Sequence, residues 1–155
     1  MKLKSSYIAV IFAVLLSAAM SPAQEKPIQK SDLPSAVQKA MKQRIVGSTV
    51  RGYSFEVEDG QQKYEIETIR NGHTRDITFA PDGRILEIEE QVELASLPSK
   101  VRDALNARAG SGKITTVESI SKEGKLLAYE AKVNKSGRKY EIQVGPDGQR
   151  LTHEE

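Results

Sequence analysis

Any chemistry on this chain would have to come from its carboxylates, because little else reactive is present. The sequence holds 155 residues with two histidines, no cysteine and no tryptophan. His73 and His153 lie far apart, and a zinc centre needs several His, Cys or carboxylate ligands that converge. The spacing therefore predicts no metal site. Serines are numerous, but none sits in a nucleophile elbow or beside a histidine, so no activated nucleophile is expected. Gly110-Ser111-Gly112-Lys113 has the outline of a phosphate loop. It follows a predicted helix instead of leading into one, so its backbone donors would not converge on a phosphate. With no catalytic constellation and no cofactor motif, the chain is expected to be neither an enzyme nor a cofactor carrier.

The acidic residues are more informative. Glu56, Glu58, Glu65, Glu67, Asp76, Glu87 and Glu89 all fall on one phase of segments that alternate apolar and polar residues. The plain reading is a solvated sheet face. The functional reading is a patch for a protein partner, with a small ligand or divalent cation as the alternative. Calcium takes about six to eight oxygens, often from a loop, and no such loop is evident. The two halves also differ in charge. Residues 33–90 hold 8 basic and 10 acidic side chains, and residues 97–155 hold 11 and 8. Lys122, Lys125, Lys132, Lys135, Arg138 and Lys139 concentrate in the second half. The expected partner-binding set is Glu56, Glu58, Glu65, Glu67, Asp76 and Glu87, joined by Lys132 and Lys139, and the expected partner is an envelope or secreted protein.

These residues are positioned by a repeat. Leu33-Pro34-Ser35 recurs as Leu97-Pro98-Ser99, and Val37, Ala40 and Met41 match Val101, Ala104 and Leu105, at an offset of 64. Tyr64-Glu65 matches Tyr129-Glu130, Ile77 matches Ile142, Pro81-Asp82-Gly83 matches Pro146-Asp147-Gly148 and Leu86 matches Leu151, at an offset of 65. So many coincidences in one register indicate a duplicated unit. In each copy the apolar residues first recur at helical spacing, behind a proline suited to a first helical turn. Gly47 and Gly110 are the expected stops. The period then changes to two. Tyr53, Phe55 and Val57, then Tyr64 and Ile66, Ile77 and Phe79, and Leu86 and Ile88 should point inward, opposite the acidic phase. Asp59-Gly60, Asn71-Gly72 and Pro81-Asp82-Gly83, with their counterparts in the second copy, read as hairpins. The predicted fold class is α+β, two tandem units of one helix packed on a four-stranded antiparallel meander, with the two sheets either separate or joined into one curved sheet. Tyr64 and Tyr129 occupy matched inward positions and should be buried with tethered hydroxyls.

Ahead of the repeat, Lys2 and Lys4 precede an apolar run from Tyr7 to Met20, and Ser21-Pro22-Ala23 supplies small residues for cleavage. The run is short for a membrane span of about 20 residues, so the reading is a signal peptide cleaved after Ala23, with an uncleaved anchor as the alternative. The expected divisions are 1–23 signal peptide, 24–32 flexible leader, 33–90 first unit, 91–96 linker and 97–155 second unit. The predicted location is the periplasm or the exterior, with no stable membrane anchor after cleavage. Of 23 basic and 21 acidic residues, Lys2 and Lys4 leave with the signal, which makes the remainder neutral. Neutrality argues against nucleic acid as a partner and against anionic membranes. Lacking cysteine, the fold must be held by burial alone, and units of about 60 residues gain by sharing a core.

A helix opening at Leu-Pro, strands carrying Tyr-Glu and a closing hairpin at Pro-Asp-Gly resemble the PepSY-like periplasmic domains, which are similar in fold to the beta-lactamase inhibitor protein. The resemblance covers Leu33 to Glu155. It implies a small exported protein without enzymatic activity, helices on one side of the sheet and an open face on the other. It also implies, as an alternative role, regulation of a protease. Beta-lactamase inhibition does not carry over. The inhibitor uses projecting loops, concave-face aromatics and disulfides, whereas here the Asn71-Gly72 hairpin is minimal, cysteine is absent and the outward positions are charged.

Overall fold

The computed structural model describes residues 25–151. The expected signal segment and His153 lie outside the described residues. Among the described residues two helices, α1 (Ser35–Arg44) and α2 (Ser99–Ala109), accompany one antiparallel sheet. Its eight strands are β1 (Lys26–Pro27), β2 (Thr49–Glu58), β3 (Gln61–Arg70), β4 (His73–Phe79), β5 (Ile85–Gln91), β6 (Lys113–Lys122), β7 (Lys125–Lys135) and β8 (Arg138–Val144). They lie side by side in chain order. The two halves therefore share one sheet, joined where β5 pairs with β6. No helix among the described residues is long and apolar enough to cross a membrane.

Local chemistry accounts for most of these elements. Pro34 and Pro98 stand in extended conformation just before α1 and α2, and their carbonyls accept from the N–H groups of Gln38 and Arg102. The Gln38 side-chain amide donates to the Leu33 carbonyl at 2.9 Å, which satisfies a carbonyl at the helix entry. Asp59-Gly60, Asn71-Gly72, Glu123-Gly124 and Ser136-Gly137 all take positive φ at both residues, the type I′ geometry that matches strand twist. The Pro-Asp-Gly corners carry a further constraint. A Cβ on Gly83 would sit 2.7 Å from the Ala36 carbonyl oxygen, and one on Gly148 would sit 2.5 Å from that of Lys100. Each corner is pressed onto the first turn of its own helix, which leaves no room for a side chain.

Both helices lie on the same side of the sheet. Leu33, Val37 and Met41 form one core cluster with Ile66, Ile77 and Phe79. Leu97, Val101, Leu105 and Ala109 form the other with Val117, Ala131, Val133, Ile142 and Val144. Tyr53, Ile66, Ile77 and Ile88 share one cross-strand row beneath α1. Val57, expected inside, is 48% exposed because it stands at the far end of β2 next to the hairpin. Tyr64 and Tyr129 are partly buried against the two clusters. The tethered hydroxyl belongs to Tyr140, which donates to the Ala109 carbonyl at 3.2 Å.

Two expectations need correction, and a third falls largely outside the described residues. The leader read as flexible is built into the fold. Lys26 and Pro27 pair with Phe55 and Ser54, Ile28 N–H donates to the Tyr53 carbonyl, and residues 30–32 form a 3-10 turn. The linker is equally structured, since Gln91 ends β5 and Leu94–Ser96 form a second 3-10 turn. The final strand of the second unit is seen only as a bridge between Val144 and Arg150, and the positions after Leu151 lie outside the described residues. Register explains the first two corrections. Lys26↔Phe55 and Pro27↔Ser54 become Glu90↔Ser119 and Gln91↔Glu118 when every residue moves by 64. The leader strand is to the first copy what the end of β5 is to the second.

Candidate functional site

The face turned away from the helices gathers the acidic residues. Register sets Glu67 opposite Asp76 and Asp76 opposite Glu89, so three adjacent strands each place a carboxylate in one row. A neighbouring row runs Ser54, Glu65, Thr78, Glu87, Lys122. A third runs Gln91, Glu118, Glu130, Gln143, and beside it lie Thr116, Lys132 and Glu141. The period-two phase of β3, β4 and β5 produces this arrangement, because a strand with one apolar face must deliver its polar residues to the other.

Cations are unevenly supplied to this face. Lys63 bridges Glu58 through a short hydrogen bond and lies 4.0 Å from Glu56. Lys122 stands 3.8 Å from Glu87. Lys132 Nζ is 2.8 Å from Glu118 Oε2, and the other Glu118 oxygen accepts from Thr74 Oγ1 at 3.3 Å. Gln143 Nε2 donates to Glu130 Oε2 at 2.9 Å. Glu118 is only 5% exposed, and its contacts tie β4 of the first half to β6 and β7 of the second. Asp76 accepts a long bond from the Thr68 N–H, at 3.3 Å. No ion pair reaches Glu65, Glu67 or Glu89 among the described residues.

Proton affinities follow this imbalance. Glu65 is pushed up to about 8, first by burial and then by the charges of Glu25, Asp76, Glu89 and Glu67. Glu89 is pushed up to about 7 by burial, then by Glu87, Glu118 and Glu130, against some relief from Lys132. Burial also raises Asp76, opposed by its bond from Thr68, and raises Glu130, opposed by Gln143. Glu56 is raised by burial despite Lys63, whereas the hydrogen bond from Lys63 lowers Glu58. On Lys132, the bond to Glu118 and the surrounding carboxylates outweigh burial and strengthen the hold on the proton.

Of the expected site residues, Glu65, Glu67, Asp76 and Glu87 come together on this face. Glu56 and Glu58 sit at its β2 margin, occupied by Lys63. Lys132 is internal to the charge network. Lys139 lies on the outer strand β8, where it lines a groove of about 600 Å³ with Lys132, Asn134, Tyr140 and Glu141. Glu118 and Glu130 were missing from the expected set. The match of Tyr64-Glu65 to Tyr129-Glu130 already pointed to Glu130. Glu118 was hidden because β6 carries apolar residues on both phases, with Val117 and Ile120 each buried. His73 approaches Glu93 to 3.9 Å. Among the described residues, no group of three or more His, Cys, Asp or Glu converges as metal ligands would.

One sheet with its helices on one side and an ionic face on the other, built from a duplicated unit, defines a class of small tandem α+β proteins. The family model for beta-lactamase-inhibitor-like, PepSY-like proteins matches residues 20–87 and, a second time, residues 68–151. The chain belongs to this family. Solved structures agree on the fold. A protein from Bacteroides eggerthii, described as a proposed periplasmic protein, superposes with a TM-score of 0.62 at 24% identity, covering 77% of this chain and 86% of its own. A DUF2874 family protein from Bacteroides ovatus gives 0.60 at 21% identity, covering 77% and 85%. A BLIP-like protein from Bacteroides fragilis gives 0.56 at 20% identity, covering 76% and 83%. No curated protein matches the chain.

Proposed function

We propose that this chain is an exported, non-catalytic binding module that receives a protein partner on the carboxylate face of its sheet. The observation that carries the reading is the row Glu67–Asp76–Glu89, with Glu65 beside it, on the face opposite the helices. Like charges directly opposite one another destabilise a sheet, so such a row costs the fold stability that a basic partner would restore. Each half is read as one helix on a strand meander. Export is supported by the Lys2-to-Ala23 segment and by relatives described as periplasmic. The absence of a nucleophile–base pair from the sequence favours binding over catalysis.

The test compares capture from an envelope fraction by the wild-type chain and by the triple variant Glu65→Gln, Glu67→Gln, Glu89→Gln. A protein retained by the first and lost by the second is the expected result. Equal retention by both would remove the carboxylate face from consideration.

A further inference from the structure

The carboxylates of the open face are arranged in a way that restricts both what can bind them and when. Adjacent strands lie about 4.8 Å apart, so Glu67, Asp76 and Glu89, one per strand, spread over roughly twice that distance. Calcium takes about six to eight oxygens, and among the described residues no three carboxylates converge as ligands of one cation would. A series of ammonium or guanidinium groups repeating about every 5–6 Å, as at i and i+4 on a helix, matches the strand spacing. A polyanion would be repelled. Carboxylates held this close cannot all ionise freely, and one or more of them retains a proton to higher pH than an isolated group.

We infer that docking on this face is proton-gated: a lysine- or arginine-rich helical segment of the partner seats on the Glu67–Asp76–Glu89 row and competes with protons for Glu65, Asp76 and Glu89. The inference rests on the docking role proposed above and adds the chemistry of the partner and the control by pH. Every strand packed against the row contributes to its field. Glu56 comes from β2, Lys63 from β3, and Glu87 from β5. Glu118 and Lys122 come from β6, Glu130 and Lys132 from β7, and Glu141 from β8. Glu25 flanks β1. The positive members are already engaged, Lys63 with Glu58, Lys122 with Glu87 and Lys132 with Glu118. The raised proton affinities of Glu65 and Glu89 place the exchange near neutral pH. In acid the face is largely discharged and offers little to a cation. As pH rises the row ionises and becomes a strong acceptor.

The probe is an alanine-rich helical peptide with lysine at every fourth position, titrated calorimetrically into the full chain at low salt. Each titration is run at pH 6 and pH 7 in two buffers of different ionisation enthalpy. For one proton displaced, affinity should rise by about tenfold across that unit of pH, and the observed heat should differ between buffers. The double variant Glu65→Gln, Glu89→Gln, checked for an unchanged circular dichroism spectrum, should bind weakly and without pH slope. Equal affinity at both pH values with buffer-independent heat would overturn proton gating and leave the docking role standing. No binding at either pH, or up to pH 8.5, would overturn both. A carboxyl carbon NMR titration in which Glu65 and Glu89 ionise with the ordinary carboxylates would overturn the inference without reference to any ligand.

Discussion

The two halves of the sheet treat the same positions in opposite ways. Moving by 65 residues carries Glu65 to Glu130, Glu67 to Lys132 and Asp76 to Glu141. In the second half Lys132 holds Glu118, and Gln143 holds Glu130. In the first half the position of Lys132 is taken by Glu67, so the row there is anionic throughout. The backbone did not diverge in this way. The helix entries, the I′ hairpins and the glycine corners fall at matching positions in both halves. The two halves thus keep the same packing at matching positions while their charges differ, and under the docking role proposed above the uncompensated row of the first half is where a basic partner would act.

The equivalence of the scaffolds is tested most severely at the corners. Gly83→Ala and Gly148→Ala each force an alanine into left-handed backbone, about 1–2 kcal/mol, and drive its Cβ into a helix carbonyl, a further 1–3 kcal/mol. Each should therefore lose about 3 kcal/mol, measured by urea unfolding, with no large difference between the halves. Gly72→Ala, with nothing within 4 Å of the new Cβ, should show only the backbone part. Should one corner tolerate alanine while the other does not, the two units would not be physical copies.

The difference between the halves is tested at Glu118. Replacing it with glutamine leaves Lys132 without its closest anion. Breaking a buried pair costs about 3–5 kcal/mol, and the partial exposure of the Lys132 side chain reduces that to about 2 kcal/mol through solvent screening. The substitution should also lower the proton affinity of Asp76, Glu89 and Glu130, because it removes a negative charge that raises all three and leaves Lys132 free to turn toward them. A stability change below about 0.5 kcal/mol would mean that the charge network of the second half is ornamental.

Much of this was readable from residue order, and the part that was not has a physical reason. The helices announced themselves through Leu33-Pro34 and Leu97-Pro98, and the hairpins through Asx-Gly pairs, because both signals are local. The joining of the sheets was not readable, since the pairing of β5 with β6 spans the α2 segment and leaves no local trace. The leader strand was missed because two residues ending in proline carry no period. Glu118 was missed because bulges at Ile114/Thr116 and Ile120/Ser121 shift the register of β6 against β7, and Ile120 is buried within the row that holds Glu89. The acidic patch itself was legible as a phase. Its imbalance of counter-ions was not, since that depends on which strands lie side by side.

The smallest predicted effect is also the most discriminating. Glu67→Lys would give the first half the solution found in the second, a cation opposite Asp76 in the row that also holds Glu89. Converting a like-charge pair to an opposite-charge pair across strands contributes about 1 kcal/mol, so this variant should be more stable than the wild type at pH 9. The sign with pH follows from the protons held. Glu65 and Glu89 bind theirs up to about 8 and about 7 in the folded chain, against an ordinary value of 4.5. The folded state therefore carries more protons than the unfolded one between those limits, and stability must fall as pH rises from about 5 to 8 and then level off. Lysine at position 67 lowers both affinities and flattens that slope, so the gain should be small at pH 5 and full by pH 9. If urea midpoints of wild type and variant instead ran parallel from pH 5 to pH 9, the row would not be holding protons. The electrostatic contrast between the halves would then be one of residue names and not of energy.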